Sequence, residues 1–384
     1  MSEHDQTRAD TSASGRRKFL KAAAASGVAM VAAPAVVKAQ GPTTMRLQST
    51  WPSKDIFHEF AQDLAKRIND MSGGDLRIEV LPAGAVVPAF GLLDAVSSGT
   101  LDAGHGVMVY HYGKQNALAL WGSGPGFAMD ANMLLAWHKY GGGKELLAKL
   151  YASINANVHS FVYGPMPSQP LGWFKNPVAK LDDMKGLKYR TVGISIDMFQ
   201  QMGAAVNALP GGEIVSAMDR GLLDAAEFNN ASSDRALGFP DVSKVCMLQS
   251  YHQNAEQFEV LFNKAKFDAL SPRLRVIIES AIEAASSDMS WKAVDRYSQD
   301  YLEMQQKDKV RFFKTPDAIL KKQLEIYDEI VTKKAAENPL FKEIIQSQLN
   351  FAKRAAQWEQ DTVTPRRMAY DHYFGSNGAA KKFG

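Results

Sequence analysis

A nine-residue pattern occurs twice in this chain. Residues 95–103 read AVSSGTLDA, and residues 217–225 read AMDRGLLDA. Each copy ends a helix on a glycine, which accepts the left-handed backbone other residues resist, and then opens a strand. The same order of elements precedes both. In the first copy a strand at 45–49 leads to a helix capped at Ser53, with Phe57, Phe60, Leu64, Ile68 and Met71 at helical spacing. A strand at 76–80, a helix from Pro88 through Leu92, Leu93 and Val96, and a strand at 101–105 follow. In the second copy a strand at 187–191 leads to a helix marked by Ile196, Phe199 and Met202. A strand at 205–209, a helix at 213–220 and a strand at 223–227 complete it. Five elements in one order, twice, predict two similar α/β lobes.

From Pro272 the pattern turns helical. Leu274, Ile277, Ile278, Ala281, Ala285, Met289 and Trp291 begin a run reaching about Lys309, and further helix is expected at 317–334 and 342–360. The expected division is therefore a first lobe of residues 42–163 with part of 251–310, a second lobe of 164–250, and a long helix with C-terminal helices over 271–384. Those helices must cover the lobes or pair with another chain. A length of 384 residues agrees with a two-domain prior.

The N-terminus reads as a targeting segment. Arg16, Arg17, Lys18 and Lys21 precede an uncharged run from Ala22 to Val37, and Val37-Lys38-Ala39 offers a small-residue cleavage site. The adjacent arginines followed by Lys18-Phe19-Leu20-Lys21 fit a twin-arginine export signal over residues 1–39. The run is too short and too rich in alanine for a membrane anchor. Residues 1–39 hold six basic and three acidic groups, which is the whole formal net charge of +3. The remainder is formally neutral, so the basic isoelectric point does not point to nucleic acid. The one cysteine, Cys246, has no partner within the chain and lies in an apolar, extended pattern, so it reads as a buried thiol.

Catalytic motifs are missing. No phosphate-binding loop, dinucleotide fingerprint, zinc-protease helix or nucleophile elbow occurs. The informative residues sit instead at the carboxyl ends of predicted strands, where open α/β sheets bind ligands. Arg190 ends one strand and Glu227 another in the same lobe, and Trp51 follows the first strand of the other lobe. Arg190 presents a planar fork suited to a carboxylate. Glu227 would repel a bound anion unless a cation lay between them. A hard cation held by Glu227 with the amides of Gln169 and Gln253 is one solution, and a plain Arg190–Glu227 ion pair is the other. Tyr110 is the first lobe's candidate hydrogen-bonding group. His105, His111 and His252 read as structural.

At these residues the chain resembles the substrate-binding subunits of tripartite ATP-independent periplasmic (TRAP) transporters, most closely the branch that binds 2-oxo acids such as pyruvate. The marks are Ser49-Thr50-Trp51-Pro52, Gly84-Ala85-Val86-Val87-Pro88, the 94–102 segment, Tyr110-His111-Tyr112-Gly113-Lys114, Gly186-Leu187-Lys188-Tyr189-Arg190 and Asp224-Ala225-Ala226-Glu227. The resemblance spans nearly all of the chain beyond residue 50. It implies a two-lobed periplasmic solute-binding fold with mixed sheets, a long connecting helix and C-terminal helices that can mediate dimerisation. It also implies a non-enzymatic role: capture of a small 2-oxo or 2-hydroxy monocarboxylate and delivery to membrane permease subunits.

By the same resemblance Arg190 pairs with the substrate carboxylate, with Trp51, Tyr110, Gln169 and Phe228 around it. Gln169, Glu227, Phe228 through its backbone and Gln253 would hold a sodium or calcium ion. The chain departs from the relatives at several places. Phe228 stands where Trp is common, Gln253 where Glu is usual, and residues 229–234 and 124–127 differ from the usual wording. These departures leave the identity of the acid open and predict a cation site with one charge fewer. The competing readings are an exported α/β enzyme using Glu227 as a base and a sensor subunit of the same fold.

Overall fold

The computed structural model describes residues 41–376 and 378–382. The expected export signal at 1–39 lies outside them. The strands are, in chain order, β1 (Thr43–Ser49), β2 (Leu76–Leu81), β3 (Ala103–Gly106), β4 (Val158–Tyr163), β5 (Gly172–Phe174), β6 (Lys188–Arg190), β7 (Ala205–Asn207), β8 (Ala225–Ala226), β9 (Val245–Leu248), β10 (Phe258–Asn263) and β11 (Arg311–Lys314). They form two mixed sheets, ordered β2-β1-β3-β10-β4 and β11-β9-β5-β8-β6-β7.

The duplication is present in the pairing. β2-β1-β3 and β7-β6-β8 are both parallel triads with the first strand of each repeat in the middle. The nine-residue pattern does the same work in each. Gly99 and Gly221 sit at φ +82° and +71°, and Leu101 N and Leu223 N return to Ala95 O and Ala217 O at 3.0 and 3.2 Å. The aspartate that follows reciprocates with the central strand. Asp102 N donates to Arg46 O at 3.1 Å while its carboxylate accepts from Arg46 N at 2.6 Å. Asp224 N donates to Lys188 O at 2.8 Å while its carboxylate accepts from Lys188 N at 3.1 Å. The expected strands at 101–105 and 223–227 are shorter than predicted because these turn contacts consume their first residues.

Each triad is extended by antiparallel strands, and here the chain crosses between sheets. β10, which follows the second repeat, pairs with β3 and β4, whereas β5, which precedes that repeat, pairs with β8 and β9. The chain crosses between the sheets at 164–171 and 249–257, and again along the Pro272–Gln306 helix to β11; the first two connections carry site residues.

The Pro272–Gln306 helix starts on an Ser271 cap. It packs on the Ile56–Met71 helix of the first lobe and the Ala231–Leu237 helix of the second. Ion pairs fasten its middle to the first lobe, Lys292 to Glu59 and Asp63, and its C-terminal end to the second, Arg235 to Asp300, Glu303 and the following Asp308. Being partly exposed, each pair contributes little alone. Between the expected helices lies a strand that the sequence pattern leaves unassigned. Residues 311–314 form β11, parallel to β9, with Phe312 against Tyr301 and Trp173. The alternation was hidden because all four residues are charged or aromatic.

The next two helices, Asp317–Glu337 and Pro339–Thr362, cover the lobes. Gln323 accepts from Tyr251 N at 2.9 Å and Gln348 donates to Leu120 O at 2.8 Å. Tyr327 fills the space over Gly124, where a Cβ would lie 2.2 Å from its ring. Gly124, at φ +93°, bridges to the backbone of Gln253 and so fixes the second connection. The final helix, Arg366–Phe374, buries none of its side chains.

Candidate functional site

Arg190 is the last residue of β6 and Glu227 directly follows the neighbouring β8. The parallel register places Arg190 opposite Ala226, so the two side chains leave adjacent strands at the same sheet end. Trp51 and Val107 follow β1 and β3 in the other sheet. The carboxyl ends of both triads thus face one cavity between the lobes, as expected for open α/β sheets. It is lined by Trp51, Phe57, Val107 and Tyr110 from one side and Arg190, Val192, Glu227, Phe228 and Asn229 from the other. Gln169, Gln253 and Glu256 of the two connections complete it. Its free volume in this structure is about 10 Å³, so the two sides lie nearly in contact.

All the expected site residues, Trp51, Tyr110, Gln169, Arg190, Glu227, Phe228 and Gln253, line this one cavity. Arg190 is 1 % exposed and Glu227 0 %. Arg190 Nε donates to Leu209 O at 2.8 Å, and its Nη1 donates to Glu227 O at 3.1 Å and Glu227 Oε1 at 2.9 Å. The ion pair anticipated from sequence therefore exists, yet it satisfies only half of each group. Arg190 Nη2 and Glu227 Oε2 are buried without partners. So are Gln169 Oε1 and Gln253 Oε1. Buried polar atoms almost always find partners, and four orphans around one cavity mark a place for a ligand. One is a charged donor and three are oxygen acceptors.

Sequence reasoning missed Glu256. It is 3 % exposed and accepts from Gln169 Nε2 at 2.6 Å and Gln253 Nε2 at 3.3 Å. Burial first, then the Glu227 charge, pushes its carboxyl up to about 8, with Arg190 opposing. A second carboxyl thus enters the site three residues after Gln253. The only signal was an acid near Gln253, and a loop without periodicity does not say where it points.

The remaining polar residues divide clearly. Trp51 donates its indole N–H to His105 at 2.9 Å, so it offers the cavity an apolar ring. His105 also meets the Tyr163 hydroxyl and is held down to about 3 by burial, and His111 likewise to about 4. Both are neutral and structural. Burial holds the Tyr110 hydroxyl protonated, with Arg190 opposing, so it stays a donor. His252 is closer to the chemistry than expected: Nδ1 meets Ser250 Oγ at 2.7 Å while Nε2 has no partner and stands 3.9 Å from Glu227 Oε2. Burial raises the Cys246 thiol well above its usual range, which leaves it inert.

The lobes also meet beside the cavity. Asp55 caps the Ile56–Met71 helix through Phe57 N and accepts from Ser233 Oγ of the other lobe at 2.6 Å. Burial pushes Asp55 up to about 6 and Asp234 to about 7, and Glu259 in the first lobe to about 7. These acids hold protons more tightly folded than unfolded, so their contribution to stability grows as pH falls through the folded values. Histidines depressed by burial act in the opposite sense below about 6.5. Ligand-free protein should therefore gain thermal stability between about pH 8 and 6.5, then level off or lose it. A melting series in chelator-treated buffer reads this directly, and a melting point flat or falling from pH 8 to 6.5 contradicts it.

The donor set suits a hard cation. Among the described residues no group of three His, Cys, Asp or Glu side chains could hold a metal. The unpartnered acceptors are instead a carboxylate and two amide oxygens, which match calcium or sodium and not a soft transition metal.

Comparison with known proteins places these features among relatives. The DctP family model, described as bacterial extracellular solute-binding protein, family 7, matches residues 47–338. A monocarboxylate 2-oxoacid-binding periplasmic protein of Nostoc sp. is 29% identical over 332 residues, covering 86% of this chain and 89% of that protein. A TRAP transporter solute-binding protein of Bordetella bronchiseptica, a dimer with calcium and picolinate, superposes with a TM-score of 0.82 at 25% identity, covering 90% of this chain and 100% of that one. One from Colwellia psychrerythraea with calcium and pyruvate gives 0.79 at 27%, covering 86% and 100%. One from Pseudoalteromonas atlantica with sodium and pyruvate gives 0.79 at 26%, covering 87% and 99%.

Proposed function

Because the chain belongs to the DctP family of bacterial extracellular solute-binding proteins, the receptors of TRAP transporters, we propose that its cavity captures a small 2-oxo or 2-hydroxy monocarboxylate together with a calcium or sodium ion. The single observation that carries this reading is the set of four buried, unpartnered polar atoms around one small cavity: a guanidinium N–H beside three oxygen acceptors. An organic anion alone would answer Arg190 and face Glu227 unscreened. An anion bound with a cation answers all four.

In this reading Arg190 Nη2 donates to the substrate carboxylate, and the Glu227 contact to Nη1 fixes the plane of the fork. Gln169, Glu227 and Gln253 would hold the cation, with the Phe228 backbone as a further donor, and the ion would supply positive charge between Glu227 and the substrate oxygens. Trp51 and Phe228 wall the apolar side, and Tyr110 presents its hydroxyl. Residues 42–163 with part of 251–310 form one lobe, and 164–250 with the 311–314 strand form the other. Hinge motion at the two connections would open the cavity. The relatives' bound acids support this substrate class, and the closed form would be the one offered to permease subunits. Native mass spectrometry after mild purification tests it: a retained small acid with a calcium or sodium mass is expected, and turnover of that acid by the protein would overturn the receptor reading.

Two finer points belong here. Residues 1–39 would export the chain by the twin-arginine route. The chain would also pair with itself through its C-terminal region. The Arg366–Phe374 helix exposes Met368 by 71 %, Tyr370 by 58 % and Phe374 by 65 %, and the long helix exposes Trp291 and Val294 by 71 % each. Large apolar side chains exposed together on one helix mark an interaction surface. Deleting residues 364–384 should convert a dimer to a monomer in light scattering. Full-length protein that is already monomeric contradicts the pairing.

A further inference from the structure

Two glutamine side chains meet the cavity oxygen-first, and one carboxylate accounts for both orientations. Gln169 and Gln253 come from different interlobe connections, yet their Nε2 atoms converge on Glu256 Oε2 and Oε1 at 2.6 and 3.3 Å. A side-chain amide carries donors at one end and an acceptor at the other. Each NH2 group donates to a different oxygen of the one carboxyl group, and this turns each amide oxygen the other way. Those two oxygens are the ones left buried and unpartnered beside Glu227 Oε2.

The carboxylate is itself tightly seated. Its backbone oxygen accepts from Met166 N at 3.1 Å, and Gln169 N donates to Gln253 O at 3.2 Å, which locks the two connections together. Gly122 leaves the room it needs, since a Cβ there would lie 2.8 Å from Glu256 Cγ and 3.2 Å from its Oε1. Among the described residues Glu256 is the one side chain that accepts from both amides.

We infer that Glu256 is a positioning residue for the cation, acting through Gln169 and Gln253 by presenting both amide oxygens to it at once. The inference rests on the cation reading of the site given above. Its logic is asymmetric. A glutamine at 256 has nearly the same shape but only one accepting oxygen, so one of the two amides must lose its anchor and turn an N–H toward the ion. An aspartate keeps the carboxyl group but falls one methylene short of both amides.

Partners that orient metal ligands typically contribute about 10–100-fold in affinity. The test is calorimetric titration of the chelator-stripped full chain with calcium and, separately, sodium, for wild type, Glu256→Gln and Glu256→Asp. Thermal melts of the stripped proteins confirm folding, and side-chain amide NMR resonances of Gln169 and Gln253 report their orientation. Both variants are expected to melt cooperatively, to bind the cation about 10–100-fold more weakly, and to shift at least one of the two NH2 resonances. Wild-type affinity in Glu256→Gln overturns the inference while leaving the cation site standing. Wild-type affinity in Glu256→Asp also overturns it, because a carboxyl group short of both amides would then suffice. A wild-type chain that binds neither cation overturns the site reading itself, and the inference with it.

Discussion

Replacing Arg190 by alanine should abolish carboxylate binding, raising the Kd for pyruvate or a related acid by at least about a thousandfold. Two effects act in the same direction. The ligand loses the only charged donor lining the cavity, and a charge-assisted contact of this kind stands in a site from which water is excluded. Glu227, 0 % exposed, also loses its 2.9 Å partner and becomes an uncompensated buried charge. Truncating one partner of a buried charge pair in a binding site costs about 2–5 kcal/mol, and about 4 kcal/mol is a factor near a thousand in affinity. Arg190→Lys separates the two effects. It keeps the charge but loses the fork that reaches Leu209 O, Glu227 and the ligand together, so its loss should be smaller. Calorimetry with circular dichroism as a folding control measures both. A folded Arg190→Ala protein that binds the acid normally removes the ligand role of this residue.

Glu227→Gln gives the second large effect, and its sign is diagnostic. If the Arg190–Glu227 pair were only an internal ion pair beside an anion site, neutralising Glu227 would remove a repulsion and strengthen acid binding. If Glu227 holds a cation that screens it from the substrate, the same change removes the strongest cation ligand. Acid affinity should then fall by about a hundredfold or more, as expected for losing several kcal/mol of paired charge, and should no longer respond to added calcium or sodium. The geometry favours the second outcome because Arg190 leaves Glu227 Oε2 buried without a hydrogen-bond partner. Titrating the variant with the acid, with and without added cation, distinguishes the two.

The duplicated lobe was legible because its signals are local. Gly99 and Gly221 must be left-handed, and Asp102 and Asp224 make the same reciprocal contacts with the central strand. Once those strands were placed, the carboxyl-end rule brought Arg190, Glu227 and Trp51 to one cavity. What the local pattern could not carry is pairing across long separations. β3 joins β10 and β5 joins β9, each across more than seventy residues of other structure, and β11 hides in a four-residue charged-aromatic stretch. Glu256 was missed for a related reason. Its partners come from residues 169 and 253, and only the crossing of the two connections brings their amides onto one carboxylate. The same crossing also changes how Gln253 is understood. Read alone it was a lost charge, whereas beside Glu256 it is an amide held by its nitrogen with its oxygen left without a partner.

The central claim is that acid and cation occupy one cavity and depend on each other. Calorimetric titration of pyruvate into the chelator-stripped full chain, repeated after adding calcium and then sodium, tests it most directly. The account predicts weak or undetectable binding without a cation and tight binding of one acid per chain with the right one. Equally tight binding in the stripped protein would contradict it.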